Sequence, residues 1–130
     1  MPLQGVSHVA FTVTDLARSK EWYSRVLDWR SFTDFSEEGV DVSVGALPDG
    51  TLIGLRQYAH GSGDAFSPFR TGLDHLAFTV PTPDEFPEWE RRFAEQGVTY
   101  SPAQDGPFGW VLSFKDPDGV ALELFATKAT

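Results

Sequence analysis

The chain has 130 residues, 41% of them hydrophobic and 14% aromatic, enough to build a packed core and too apolar for a disordered segment. Nineteen acidic against ten basic residues leave a formal charge of −9 at pH 7, a field that repels nucleic acid and anionic membranes and favours neutral or cationic partners. There is no cysteine, so disulfides, thiolate metal sites and cysteine nucleophiles are excluded, and no stretch approaches the roughly 20 apolar residues of a membrane span; the expectation is a cytoplasmic protein with no nucleic-acid or membrane partner.

Residues 6–13 alternate, with Val9, Phe11 and Val13 on one face and His8, Ala10 and Thr12 on the other, as in a half-buried strand. Thr14 or Asp15 can cap a helix reaching Leu27, with Leu16, Tyr23 and Leu27 as its apolar stripe. Extended segments are expected near 29–35 and 40–47, with Glu37-Glu38 in a solvated turn between them. Pro48-Asp49-Gly50 then reads as a turn before a strand over 51–58. The stretch from His60 to Thr71 has no periodicity and is rich in Gly, Ser and Pro, so residues 59–71 read as a linker. A strand over 73–80 follows. Thr82 with Glu85 resembles a capping box with Pro83 at the first helical position, although Pro87 fits such a helix poorly. Phe86, Trp89 and Phe93 give the helix its apolar face, and Gly97 gives it a stop. Strands near 98–101, 108–115 and 119–126 complete the chain, the last two joined by the turn Asp116-Pro117-Asp118-Gly119.

The two halves are copies. GVSHVAFTV at 5–13 recurs as GLDHLAFTV at 72–80, identical at six of nine positions, and the same shift carries Glu21, Trp22 and Arg25 onto Glu88, Trp89 and Arg92. PDGTLIGL at 48–55 recurs as PDGVALEL at 117–124. The reading is a single domain over 1–130 of class α+β, with β-α-β-β-β modules at 5–58 and 72–127 whose curved sheets enclose a concave metal-binding cavity. Neither copy has enough sheet to bury both faces, so the two are expected to pair, within one chain or between chains.

The repeat places His8 and His75 at equivalent positions and sets Gly54 against Glu123. Glu123 shares a strand face with Ala121 and Phe125, opposite Leu122 and Leu124. Two imidazoles and a carboxylate on the concave side are a ligand set for one divalent first-row metal ion, with positions left for water or substrate. Arg56 and Tyr58 share the face of Gly54. Arg56 is a candidate to hold a substrate anion, Gly54 opens space beside the metal, and Phe108 and Trp110 are candidates to wall the pocket. Tyr58 and His60 are candidate catalytic groups for proton transfer, though a solvated histidine and a packed tyrosine with a wet hydroxyl are the simpler readings. Trp22 and Trp89 read as core or interface residues.

SHVAFTVTDLARSKEWYSRVLDW, GLDHLAFTV and FKDPDGVALELF together resemble the vicinal oxygen chelate superfamily, which includes glyoxalase I, methylmalonyl-CoA epimerase, extradiol dioxygenases, fosfomycin-resistance enzymes and bleomycin-resistance proteins. The resemblance implies a glyoxalase/dioxygenase-like fold, a homodimer, and a small-molecule substrate chelated through adjacent oxygens. Glyoxalase-like members ligate at four positions, which map to His8, Gly54, His75 and Glu123. Glycine has no side-chain donor, so what remains matches the two-histidine-one-glutamate set. The expected function is a metal-dependent lyase, isomerase or small extradiol-type dioxygenase using Fe, Mn, Ni, Zn or Mg. The alternative is a non-catalytic, antibiotic-sequestering protein of the bleomycin-resistance type, which the acidic charge suits.

Overall fold

The computed structural model describes residues 1–128 and divides into two compact units, Met1–Asp64 and Ala65–Thr130. The boundary falls inside the segment expected to be a linker.

The first unit runs β1 (His8–Thr12), α1 (Leu16–Leu27), β2 (Arg30–Glu37), β3 (Val40–Ala46) and β4 (Leu52–Tyr58). Asp15 caps α1, its carboxylate accepting from the Arg18 amide at 3.1 Å. The helix ends at Asp28, which adopts the left-handed conformation with φ 57°. The sheet order is β1-β4-β3-β2, with β1 and β4 parallel and the other pairs antiparallel. Phe11, Val13, Tyr23, Val26, Ile53 and Leu55 are buried where α1 packs on the sheet, and Phe11 stacks on Tyr23 at 5.7 Å. Trp29 fills the rest of this core and donates its indole hydrogen to the Ile53 carbonyl at 3.1 Å. Gly45 permits that packing, because a Cβ there would overlap the Trp29 ring and the Arg30 carbonyl. Glu38 and Gly39 form the exposed turn between β2 and β3.

The second unit runs β5 (Leu76–Thr79), a 3-10 turn (Pro83–Glu85), α2 (Phe86–Gln96), β6 (Thr99–Tyr100), β7 (Gln104–Asp105), β8 (Gly109–Lys115) and β9 (Ala121–Thr127). Its strand order is β5-β9-β8-β6, again with the outer pair β5 and β9 parallel, and β7 pairs with β8. Phe93, Phe114, Leu112, Leu122 and Leu124 form its core, with the Phe93 and Phe114 rings 4.7 Å apart. The turn from 116 to 119 is tied by the buried Asp116 carboxylate, which accepts from the Asp118 and Val120 amides at 2.9 Å each.

Each unit is mixed sheet with one α-helix, so the α+β class and the repeated module hold. Three details differ from the sequence reading. Strand β5 begins at Leu76 and leaves His75 just ahead of it. The capping box at Thr82 does not form: Thr82 accepts from the Asp84 amide at 3.3 Å and caps the 3-10 turn instead. Helix α2 then starts at Phe86, which places Pro87 in the first turn, where a missing N–H loses no intrahelical bond. Strand β7 was not anticipated, since two residues carry no periodicity. Among the described residues no helix is long and apolar enough to cross a membrane.

Candidate metal site

The strand register confirms the comparison between the copies. In the first unit Ala10 pairs with Gly54, which pairs with Val44; in the second Ala77 pairs with Glu123, which pairs with Ser113. Gly54 and Glu123 are thus equivalent in three dimensions. Leu122 and Leu124 are buried under α2's side of the sheet, so alternation turns the Glu123 carboxylate to the other face, where its side chain is 21% exposed.

His75 meets Glu123 on that face. Its Nε2 lies 3.6 Å from Glu123 Oε1, too long for a good hydrogen bond. Two donors bound to one metal at about 2.0–2.2 Å, with angles between 90° and 120°, stand about 3.0–3.6 Å apart. The pair is therefore spaced as two ligands of one ion would be. On the other side of the ring, Nδ1 lies 2.7 Å from Asp74 Oδ1. An ionised carboxylate can only accept, so Nδ1 carries the hydrogen, and Nε2 is the ring nitrogen that faces Glu123. The Asp74 hydrogen bond raises the His75 pKa above its ordinary 6.5; burial opposes this, and the Glu123 charge adds to it.

His8 is built the same way, with Nδ1 3.0 Å from Ser7 Oγ. Each repeat histidine is thus oriented through Nδ1 by the side chain immediately before it. These partners went unremarked in the sequence reading, yet they stand in plain view as Ser-His and Asp-His in the two copies of the motif. The consequence at both histidines is that Nδ1 is occupied within the chain and Nε2 is the ring atom directed away from that contact. Among the described residues no three His, Asp or Glu side chains are gathered into one cluster.

The remaining candidates are placed as follows. A Cβ on Gly54 would meet only the Ala10 Cβ, at 3.6 Å, and the Ser43 carbonyl, at 4.0 Å, which is ordinary contact, so the position has room for a side chain. Arg56 and Tyr58 do share its face: the Arg56 Nε donates to the Tyr58 hydroxyl at 3.1 Å, and the guanidinium lies 5.8 Å from the ring centre. His60 is exposed in the turn after β4. Phe108 is 82% exposed. Trp110 pairs with Ala126 and so lies on the α2 side of the sheet, opposite Glu123, with Lys128 above its ring. Trp22 is buried, edge-on to Tyr23 at 4.8 Å, and Trp89 packs on Phe93 beneath Arg92.

Comparison with known proteins matches this arrangement to one family. A family model described as Glyoxalase/Bleomycin resistance protein/Dioxygenase superfamily matches residues 5–124. The chain belongs to this superfamily. A glyoxylase/bleomycin resistance protein/dioxygenase domain from Frankia sp. EAN1pec is 40% identical over 98% of this chain and 100% of that one, with a TM-score of 0.92. The fosfomycin resistance protein FosX from Listeria monocytogenes has the same fold at 20% identity, with a TM-score of 0.75 over 98% of this chain and 93% of that one. FosX from Mesorhizobium loti matches at 21% identity and a TM-score of 0.72, over 95% and 92%. At those identities the FosX likeness speaks for the superfamily fold alone.

Proposed function

We propose that the protein is a divalent-metal-dependent enzyme of this superfamily, with His75, Glu123 and His8 as the metal ligands. The spacing of His75 Nε2 and Glu123 Oε1, with Nδ1 held by Asp74, is the observation that carries the reading. Open positions on the ion would take a small molecule through two adjacent oxygens, and the bound cation would supply Lewis-acid stabilisation of negative charge. The listerial FosX structure is a complex with Mn(II) and 1S,2S-dihydroxypropylphosphonic acid, which supports Mn(II) as the first metal to test. Glyoxalase-like lyase or isomerase chemistry and extradiol-type ring cleavage are both compatible with a two-histidine-one-glutamate set. We further propose a homodimer, in which His8 of a second copy can complete the pair on this one.

The roles of this chain's own residues follow from their places. Asp74 and Ser7 orient imidazoles; Gly54 leaves room where a fourth ligand would stand; Arg56, backed by Tyr58, offers a cation for the substrate. The formal charge of −9 supports a second reading, a non-catalytic protein of the bleomycin-resistance type that sequesters a cationic antibiotic.

Metal titration by calorimetry separates the two. The enzyme reading expects one Mn(II) per site in the wild type and loss of that binding in both His75→Ala and Glu123→Gln. Its substrate is then sought with catechols, methylglyoxal-thiol adducts and fosfomycin while oxygen uptake is recorded. Absence of stoichiometric divalent-metal binding by the folded wild type would overturn the enzyme reading. Mixing inactive His8→Ala with inactive Glu123→Gln protein tests the shared site: regained metal binding supports it, and none speaks against it.

A further inference from the structure

The duplication is broken at more than one position on the Glu123 face. Applying the shift that carries Gly54 onto Glu123, Val44 becomes Ser113, Ala46 becomes Lys115 and Leu52 becomes Ala121. The ladders place these four residues as neighbours in both units: Val44 with Gly54 and Ala46 with Leu52 in the first, Ser113 with Glu123 and Lys115 with Ala121 in the second. One copy thus carries an apolar quartet where the other carries a carboxylate, a hydroxyl, an ammonium and a small floor.

The polar quartet borders a cavity of about 100 Å³, lined also by Thr99 and Ser101. Ala121 provides its floor because it replaces the Leu52 side chain of the other copy. Thr99 is the ladder partner of Lys115, and the Ser101 amide donates to the Ser113 carbonyl at 2.9 Å, which ties the cavity's rim to β8. Lys115 lies diagonally across the ladder from Glu123, at a Cβ separation of about 7–8 Å or a little less. Most cations of this acidic chain are engaged by acceptors or rings, as Lys20 is with Asp34 and Arg91 with Glu88 and Glu95. Among the described residues the Lys115 ammonium makes no ion pair or hydrogen bond. It is the sole cation lining this cavity.

We propose that this cavity is a substrate subsite that receives a carboxylate, with Lys115 as its charge partner and Ser113, Ser101 and Thr99 as hydroxyl donors. The proposal rests on the metal reading above: the substrate's adjacent oxygens sit between His75 and Glu123, and its carboxylate reaches across β9 to the neighbouring Ala121–Lys115 pair. A single ammonium matches a single negative charge. A doubly charged phosphate would be left half-compensated in the field of Glu123 and Asp74. The subsite makes the superfamily's chelation chemistry selective for chelators that carry an acid group, and it explains why polarity is concentrated in one copy.

The test compares two chelating probes, catechol and 3,4-dihydroxybenzoate, titrated calorimetrically into the Mn(II)-loaded protein. The wild type is expected to bind the carboxylate-bearing probe about tenfold more tightly. Lys115→Met should bring the ratio close to one, and Ser113→Ala should reduce it, each variant being titrated at saturating Mn(II). Lys20→Met changes the net charge by the same amount at an ion pair that does not line this cavity and should leave the ratio intact. Equal binding of the two probes by the wild type, or an unchanged ratio in Lys115→Met, overturns the subsite and leaves the metal reading standing. Failure of the wild type to bind Mn(II) overturns the metal reading and the subsite with it.

Discussion

Replacing Asp74 with Asn removes a charge from behind His75, the proposed metal ligand, while keeping the side chain's shape. In the wild type the carboxylate accepts from His75 Nδ1 at 2.7 Å, which fixes the tautomer and makes Nε2 a better donor. Removing such a partner costs about 10–100-fold in metal affinity. Asp74 is 76% exposed, so solvent screens its charge and the loss should lie near the lower end, about tenfold, or about 1.4 kcal/mol. A second effect has the opposite sign. Asp74 raises the His75 pKa, so its loss also relieves proton competition for Nε2. Measuring Mn(II) binding over a series of rising pH separates the two, because proton competition fades as pH rises and the orienting effect remains. The expected result is about tenfold weaker Mn(II) binding in Asp74→Asn by calorimetry, with an unchanged melting temperature in the metal-free protein's circular dichroism. A smaller loss is expected in Ser7→Ala, because a neutral hydroxyl polarises His8 less than a carboxylate polarises His75. Equal or tighter binding in folded Asp74→Asn would refute the orienting role.

The Gly54→Glu variant should fold, since a Cβ there meets nothing closer than 3.6 Å, and it should tighten Mn(II) binding by adding a fourth ligand; weaker binding in the folded variant would mean that residue 54 does not address the metal. The pH dependence of stability should change sign with metal. In the metal-free protein the raised His75 pKa contributes stability that is fully present below about 6.5 and is lost as pH rises through the folded-state value. Metal requires the neutral imidazole, so the gap in melting temperature between loaded and metal-free protein should widen from pH 6 to pH 8; a constant gap would rule out His75 as a ligand. In the first unit's core, Trp29→Phe removes the indole donor and leaves the Ile53 carbonyl buried without it, a loss of about 1–3 kcal/mol by urea denaturation. A midpoint matching the wild type would show that another group satisfies that carbonyl.

Much of this protein could be read from its residues because the chain repeats itself. Two near-identical nine-residue motifs gave the module, the alternation in β1 and β9 separated the core face from the opposite one, and the equivalence of Gly54 and Glu123 followed from alignment of the copies. A cap at Thr14 or Asp15, which the structure assigns to Asp15, and the stop at Gly97 were equally legible, since each depends on the local conformation of a few neighbouring residues. Superfamily membership followed from the same local motifs.

Other features depended on pairing between strands far apart in sequence. Alternation groups Trp110 with Leu112 and Phe114, but only the β8–β9 register shows that this face is the one opposite Glu123. The Thr82 cap served a 3-10 turn because Pro87 delays the α-helix, a competition between two local signals that only the backbone resolves. The 3.6 Å approach of His75 to Glu123 spans 48 residues of chain and exists because β5 lies parallel to β9. Lys115, Ser113 and Ala121 became neighbours of Glu123 for a similar reason, in the antiparallel β8–β9 ladder. Sequence by itself determined which residue types can bind a metal, for their chemistry travels with them; tertiary structure decided which of them share a face, because strand register is a property of pairs.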